Sequence, residues 1–116
     1  MEKKSAGKLL RVYIGANDRY KNQPLFEAIV LELKKAGLAG ATVIRGIEGY
    51  GATSKTVHTA RLLRLSEDLP ILVEIVDTDA NIQKAIDLIE AMLQESGSGS
   101  LMTLEKVEII RYEPDK

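Results

Sequence analysis

The sequence predicts an α+β domain with the element order βαββαβ, and three observations support this fold class. Two segments repeat apolar residues at helical spacing, and four segments show the alternating or continuous apolar patterns of strands. Turn-forming residues separate these segments. The chain has 116 residues, 45% of them hydrophobic, which suits one domain with a modest core.

The first half of the chain begins with a predicted strand and helix. Apolar and mixed positions alternate over residues 8–16, which is the period-two pattern of a strand. The polar stretch 17–23 contains turn formers, and Pro24 suits the first turn of a helix. Apolar residues then recur every four positions, at Leu25, Ile29 and Leu33. We expect an amphipathic helix that ends at Gly37 in the left-handed conformation.

The second half of the chain completes the element order. Residues 41–47 form the second predicted strand, and the near-continuous apolar run 69–77 predicts a third strand, central and buried on both faces. Asp79 is the predicted N-cap of a second helix. The apolar positions of that helix are Ile82, Ile86, Ile89 and Leu93. A flexible serine and glycine loop at 96–100 then leads into the last strand, 101–112.

These elements predict a ferredoxin-like arrangement, with two helices on one face of a four-stranded antiparallel sheet. The domain spans residues 8–112, and residues 1–7 and 113–116 are tails. The opposite face of the sheet carries apolar residues beside two charged ones: Leu9, Tyr13, Leu72, Val76 and Ile110, with Arg11 and Glu74. Because this mixture is too apolar for a face in water, we predict self-association by sheet-to-sheet contact.

Composition excludes several functional classes. The 16 basic and 17 acidic residues are well mixed, so no basic stripe indicates nucleic-acid binding. No apolar run is long enough to insert into a membrane, and the N-terminus lacks the apolar stretch of a signal peptide. The absence of cysteine excludes disulfides, thiolate catalysis and cysteine-ligated zinc. We expect a cytoplasmic protein.

Catalytic and metal chemistry find little support in the sequence. His58 is the single histidine, and Ser54 lies near it, but no nucleophile elbow surrounds that serine. A solvated loop histidine is the simpler interpretation. Asp77 and Asp79 flank a strand-to-helix turn, where they could bind Mg²⁺ or could end the strand and cap the helix. We predict that the chain has no catalytic residue, binds no metal and is not an enzyme.

Glycines mark the most informative loops. Residues 46–61 break every periodicity, and Gly46, Gly49 and Gly51 lie within six positions at its start. Glycine allows positive φ and close approach of backbone to a ligand, and successive N–H groups there can form an anion nest. A purely structural turn is the alternative.

A second glycine pair, Gly97 and Gly99, precedes the last strand. Symmetric neighbours in an oligomer could bring the two glycine loops together into a cleft at the subunit interface. The basic residues that could neutralise a phosphate beside such a cleft are Arg45, Lys55, Arg61 and Arg111. For each of them, a surface ion pair is the alternative role.

The central block resembles a known family. The segment AGLAGATVIRGIEGYGA at 36–52 looks like the signature of the PII-like proteins grouped as domain-of-unknown-function family 190. The resemblance continues through HTARLL at 58–63, LSEDLP at 65–70 and VEIVD at 73–77, and covers about residues 8–112. A wider similarity extends to the PII signalling proteins, whose T-loop begins with Gly-Phe-Gly where this chain has 49–51, Gly-Tyr-Gly.

The resemblance implies a function. PII proteins are trimers that bind adenine nucleotides between subunits and regulate transporters and enzymes through the T-loop. It therefore implies a homotrimer, an adenine nucleotide as regulatory ligand in place of a cofactor, and a protein partner such as a transporter. By resemblance, Gly49 and Gly51 lie at the ligand, Gly97 and Gly99 contact phosphates, and Arg111 is a phosphate-facing arginine of the final strand. With the neighbouring residues of both loops, the predicted nucleotide-binding set is Arg45, Gly46, Gly49, Tyr50, Gly51, Gly97, Ser98, Gly99 and Arg111. The implied partner-binding residues at the loop tip are Ser54, Lys55 and His58.

Two departures from the PII pattern leave the ligand's phosphate count open. PII proteins have an arginine after Gly-Phe-Gly, where this chain has Ala52, and a phosphate-gripping lysine in the loop before the last strand, where residues 98–103 contain none. Two other functions remain as alternatives. One is a ligand-independent trimeric interaction module or cation-tolerance-like protein. The other is a small acylphosphatase-like hydrolase that would use Asn17 and Arg19 after the first strand.

Overall fold

The computed structural model describes residues 5–50, 58–59 and 69–115 of the chain. Within these ranges the elements follow one another as β1 (Ser5–Gly15), β2 (Arg19–Tyr20), β3 (Gln23–Pro24), α1 (Leu25–Lys35), β4 (Thr42–Arg45), β5 (Glu48–Gly49), β6 (His58–Thr59), β7 (Pro70–Asp77), α2 (Asp79–Ser96) and β8 (Leu101–Ile109). The four longer strands and two helices confirm the predicted βαββαβ order. The two-residue strands form small hairpins, β2–β3 and β5–β6, which the sequence pattern did not indicate.

The main sheet has the strand order β4-β7-β1-β8, and its pairings are antiparallel. This is the predicted ferredoxin-like topology. Alternate residues of the two central strands point to the helices and are almost fully buried: Leu10, Val12 and Ile14 on β1, and Ile71, Val73 and Ile75 on β7. Each such side chain contributes about 1.5–3 kcal/mol by leaving water.

Strand β7 is central, as predicted, but its second face is not buried within the chain. Leu72 is half-buried and Val76 is 44% exposed on the face away from the helices. The apolar run therefore has a different cause from the expected one. One side of β7 forms the core, and the other side belongs to an apolar sheet face that no element of the described chain covers.

The N-terminus of α2 differs from the prediction by one residue. Thr78, and not Asp79, is the N-cap, because its hydroxyl accepts a hydrogen bond from Asn81 N at 3.2 Å. Asp79 is the first helical residue, where a carboxylate is favoured by the helix dipole, and it pairs with Lys8 Nζ at 3.0 Å. The left-handed residue predicted after α1 is confirmed, since Gly37 has φ +89°.

Several strand ends depart from the predicted boundaries. Strand β1 begins at Ser5, three residues earlier than expected, and β8 ends at Ile109. The second difference agrees with the register, in which Ile109 pairs with Ser5, the first residue that the structure describes. Pro24 lies immediately before α1 and not in its first turn.

Candidate functional site

The register places the two glycine loops at one end of the sheet. Gly15 pairs with Pro70, Tyr13 with Leu101, and Arg45 with Ile71. The segments that leave β1 and β4 and those that enter β7 and β8 therefore share this end, which we call the loop end. The glycine-bearing segments that begin at residue 46 and at residue 97 are both located there.

Gly46 and Gly49 are required by their contacts with Pro70. Gly46 N donates a hydrogen bond to Pro70 O at 2.7 Å, and a Cβ added at Gly46 would lie 2.7 Å from Pro70 Cγ. Gly49 has φ +154°, and an added Cβ would lie 3.3 Å from the same Cγ. Both glycines thus have a structural cause that operates without a ligand, which is the alternative that the sequence left open.

The base of the long loop has regular structure. Gly49 pairs with His58 and Glu48 with Thr59, so β5 and β6 form a two-residue antiparallel ladder where the sequence predicted no periodicity. Tyr50 follows β5 and is 72% exposed, and Arg45 is exposed at the end of β4. The predicted residues Gly51, Ser54 and Lys55 lie outside the described part of the chain, and only the backbone of His58 is described.

The loop at 96–100, which we call the serine–glycine loop, is built on the end of α2. Gly97 has φ +74° and donates its N–H to Leu93 O at 3.0 Å, which is a left-handed helix cap. Ser96 Oγ lies 3.0 Å from Ser98 Oγ and donates a hydrogen bond to Arg19 O at 2.7 Å. The hydrogen bond from Ser96 to Arg19 attaches this loop to the β2–β3 hairpin. Gly99, in the same loop, is half-buried.

The hairpin is a feature of the loop end that sequence reasoning missed. Its turn residues Lys21 and Asn22 have φ +46° and +66°, as in the type I′ turn that matches the twist of a two-residue hairpin. The available signal was Asn22, which tolerates the left-handed conformation. The hairpin brings two cations, Arg19 and Lys21, to the loop end.

A single chain does not bring the whole predicted nucleotide set together. The sheet order separates β4 from β8 by three strand spacings, about 14 Å, so the two glycine loops lie at opposite margins of the loop end. Arg111 is not on the last strand as expected. It lies two residues beyond β8, at the opposite end of the sheet, where its Nη1 is 3.9 Å from Glu113 Oε1.

The sheet face opposite the helices, here called the open face, has a charged centre and apolar surroundings. Arg11 Nε lies 3.0 Å from Glu74 Oε2, and Arg11 Nη1 also bonds the carboxylate of Glu105. These hydrogen bonds raise the pKa of Arg11. The exposed apolar residues that the register assigns to this face are Tyr13 (39%), Val76 (44%), Ile44 (47%) and Leu101 (56%). Ile110, predicted for this face, lies beyond β8 and is 57% exposed.

Asp77 has a structural role at the end away from the loops. It is 2% exposed and accepts hydrogen bonds from Ala39 N (2.8 Å), Thr78 N (2.7 Å) and Asn81 Nδ2 (2.9 Å). Burial acts to raise the pKa of Asp77, but the hydrogen bonds, with Ala39 the strongest, outweigh it and lower the pKa. Among the residues that the structure describes, no group of three histidine or acidic side chains could hold a metal ion.

Comparison with known proteins identifies relatives across most of the chain. The model of the family DUF190, described as "Uncharacterized ACR", matches residues 7–109. A UPF0166 protein of Aquifex aeolicus is 35% identical over 103 residues, which cover 89% of this chain and 92% of that protein. A UPF0166 protein of Methanocaldococcus jannaschii is 32% identical over 90 residues, which cover 78% and 82% of the two chains.

Solved structures with a similar fold include PII-like proteins and a divalent ion tolerance protein. CPII of Thiomonas intermedia, a nitrogen regulatory PII-like protein bound to ADP, AMP and bicarbonate, has a TM-score of 0.69 at 15% identity, covering 94% of this chain and 92% of that one. GlnK of B. subtilis has a TM-score of 0.55 at 14% identity, covering 89% of this chain and 86% of that one. The divalent ion tolerance protein CutA1 of Ehrlichia chaffeensis has a TM-score of 0.55 at 12% identity, covering 97% of this chain and 88% of that one.

Neither helix of the described residues has the length and apolar character that a membrane span requires.

Proposed function

The chain belongs to the DUF190 family, and from this membership and its PII-like fold we propose that it is a trimeric regulatory protein. In this proposal an adenine nucleotide binds between subunits and acts as the signal. The loop 46–61 carries that signal to a protein partner such as a transporter in the cytoplasm. The protein has no catalytic activity of its own.

The observation that carries the proposal is the position of the two glycine loops. Both leave the loop end of the sheet, yet about 14 Å separates their strands within one chain. A second copy can place its own loop beside either margin, so a cleft between subunits joins elements that one subunit keeps apart. Arg111 lies at the other end of the sheet, so it can enter such a cleft only from a neighbouring subunit.

The open face supports self-association. Its exposed tyrosine, valine, isoleucine and leucine side chains form an apolar surface that burial against another copy removes from water. Arg11 already has two carboxylate partners, Glu74 and Glu105, so the charge of the arginine is balanced within each chain. Contact between open faces therefore does not leave an unpaired arginine in the interface.

The short ladder at the base of the long loop suggests how a ligand acts. A two-stranded hairpin is marginally stable alone, and β5 and β6 contribute only two residues each. A nucleotide that contacts Gly49 or Tyr50 can therefore shift the population of loop conformations by its preference for one of them. The predicted tip residues Ser54 and Lys55 then meet the partner in only some of these conformations. His58, also predicted for the tip, instead lies in the ladder at the base of the loop, opposite Gly49.

Calorimetric titration with ATP, ADP, AMP and cyclic nucleotides tests the proposal, on protein whose mass is measured by light scattering. We expect a trimer that binds at least one of these nucleotides with micromolar affinity or better. A trimer that binds none of them contradicts the regulatory proposal. That result favours the alternative of a ligand-independent module or cation-tolerance-like protein. The similarity of fold to the divalent ion tolerance protein CutA1 is consistent with this alternative.

The contacts of the segment after β1 argue against the hydrolase alternative. An acylphosphatase-like site needs free backbone N–H groups that cradle an anion. Here Gly15 N donates to Asp18 Oδ2 at 2.8 Å, Asp18 N donates to Gly15 O at 3.2 Å, and Leu25 N donates to Asp18 O at 2.8 Å. If the wild type hydrolysed acetyl phosphate and Arg19→Ala did not, the hydrolase hypothesis would be supported.

A further inference from the structure

The serine–glycine loop is electrostatically unsuited to a phosphate on its own. It follows the C-terminus of α2, an 18-residue helix, where the helix dipole places partial negative charge. The last turn of α2 contains Glu95 and no basic residue, and the loop itself contains no lysine or arginine. An anion bound at residues 97–99 therefore requires a cation from another element.

The β2–β3 hairpin is the element attached to this loop. Arg19 O accepts a hydrogen bond from Ser96 Oγ at 2.7 Å, so the backbone of Arg19 is held beside the loop. The hairpin is itself fixed, because its turn is type I′ and because Tyr20 packs against the hydrophobic core. The backbone of Arg19 is thus held next to the serine–glycine loop, within reach of its long side chain.

The two cations of the hairpin differ in their partners. Lys21 Nζ lies 4.0 Å from Glu95 Oε2 and 5.3 Å from the centre of the Tyr20 ring, so its charge is already engaged. Arg19 is exposed, and none of the ion pairs within the described ranges involves it. Its guanidinium presents several N–H donors in the planar fork that matches phosphate oxygens.

We propose that Arg19 is the cation that neutralises the phosphate of a nucleotide held at the serine–glycine loop, with the β2–β3 hairpin as one wall of that site. This inference rests on the proposed nucleotide-binding function and adds a residue to it. Arg19 takes the place of the cation that the loop lacks. Ser96 acts as a positioning residue, because its hydroxyl attaches the hairpin to the loop.

The test compares four proteins by calorimetry with ADP, adenosine and inorganic pyrophosphate: the wild type, Arg19→Gln, Arg19→Lys and Lys21→Gln. A charged hydrogen bond to phosphate is worth enough that Arg19→Gln weakens ADP and pyrophosphate binding by roughly 10- to 100-fold. Adenosine, which lacks phosphate, keeps its affinity for this variant. Lys21→Gln is the matched control and changes ADP affinity by less than about threefold, while Arg19→Lys restores part of the loss.

The outcomes separate this inference from the function on which it rests. Equal ADP affinity in wild type and Arg19→Gln overturns the role of Arg19 and leaves nucleotide binding intact. An equal loss of adenosine and ADP binding in Arg19→Gln also overturns it, since such a loss reports general damage to the site. A wild type that binds none of the three ligands overturns the role of Arg19. It overturns the nucleotide-binding proposal as well if ATP, AMP and cyclic nucleotides also fail to bind.

Discussion

Replacement of Asp77 by asparagine tests the hydrogen-bond cluster that joins α2 to the loop before β4. Asp77 is 2% exposed, and its two oxygens accept three hydrogen bonds, one from Ala39 N and two from Thr78 N and Asn81 Nδ2. An asparagine keeps one acceptor oxygen and turns its amide nitrogen, a donor, toward the remaining N–H group. At least one charge-assisted bond is lost and one buried N–H is left unpaired.

The size of the effect follows from these contacts. A hydrogen bond to a charged group contributes about 1.5–3 kcal/mol, and an unpaired buried donor adds to the loss, so Asp77→Asn lowers the free energy of unfolding by about 2–4 kcal/mol. Urea denaturation at fixed protein concentration measures this as a lower midpoint with an unchanged slope. Asp79→Asn is the control, because its side chain is 77% exposed and its pair with Lys8 contributes less than about 1 kcal/mol.

The same carboxylate predicts a dependence on pH. The folded-state pKa of Asp77 is lowered from its ordinary value of 3.8, so its contribution to stability is complete above that value and is lost as pH falls through the folded pKa. Asp77→Asn therefore costs most at neutral pH and progressively less below about pH 4. A variant within about 0.5 kcal/mol of wild type at neutral pH would refute the reasoning, because it would show that the buried cluster is not needed.

Two further substitutions test the loop end and the open face. Gly46→Ala places a Cβ 2.7 Å from Pro70 Cγ, on a ring that cannot rotate away, and we expect a loss of about 1–3 kcal/mol in urea denaturation. Gly40→Ala, where nothing lies within 4 Å of the added atom, is the matched control, and equal stability of the two variants would contradict the steric account. Tyr13→Glu puts a charge on the open face and is expected to reduce the mass measured by light scattering to that of a monomer, with the far-ultraviolet circular dichroism unchanged. Leu31→Glu, an equally drastic change on the exposed surface of α1, should keep the wild-type mass; if Tyr13→Glu also keeps it, the open face is not the interface.

The helix boundaries illustrate what lies beyond local pattern. Sequence periodicity placed α2 within one residue, yet chose Asp79 as its cap because aspartate is a good N-cap in isolation. The structure instead uses Thr78, whose own N–H donates to the buried carboxylate of Asp77. That carboxylate also accepts a hydrogen bond from Ala39, 38 residues earlier in the chain. No local pattern contains a contact of that range.

The candidate site shows the same contrast between local sequence patterns and contacts that are distant in sequence. The glycines after β4 and after α2 were recognisable because they interrupt periodic segments, and the family signature added a role for them. Their structural causes, the close approach of Gly46 to Pro70 and the left-handed helix cap at Gly97, were not predicted from the sequence. The two-residue ladder under the long loop was also missed, since two residues are too few to show a period.

By itself, the sequence determined the order and type of the main elements, because apolar periods of two and of about four depend only on neighbours along the chain. The tertiary structure decided which segments share an end of the sheet. It placed the β2–β3 hairpin against the serine–glycine loop and put Arg111 at the far end, beyond the last described pairing of β8. The physical reason is that strand register and side-chain contacts join residues distant in sequence, and only the folded chain selects among those pairings.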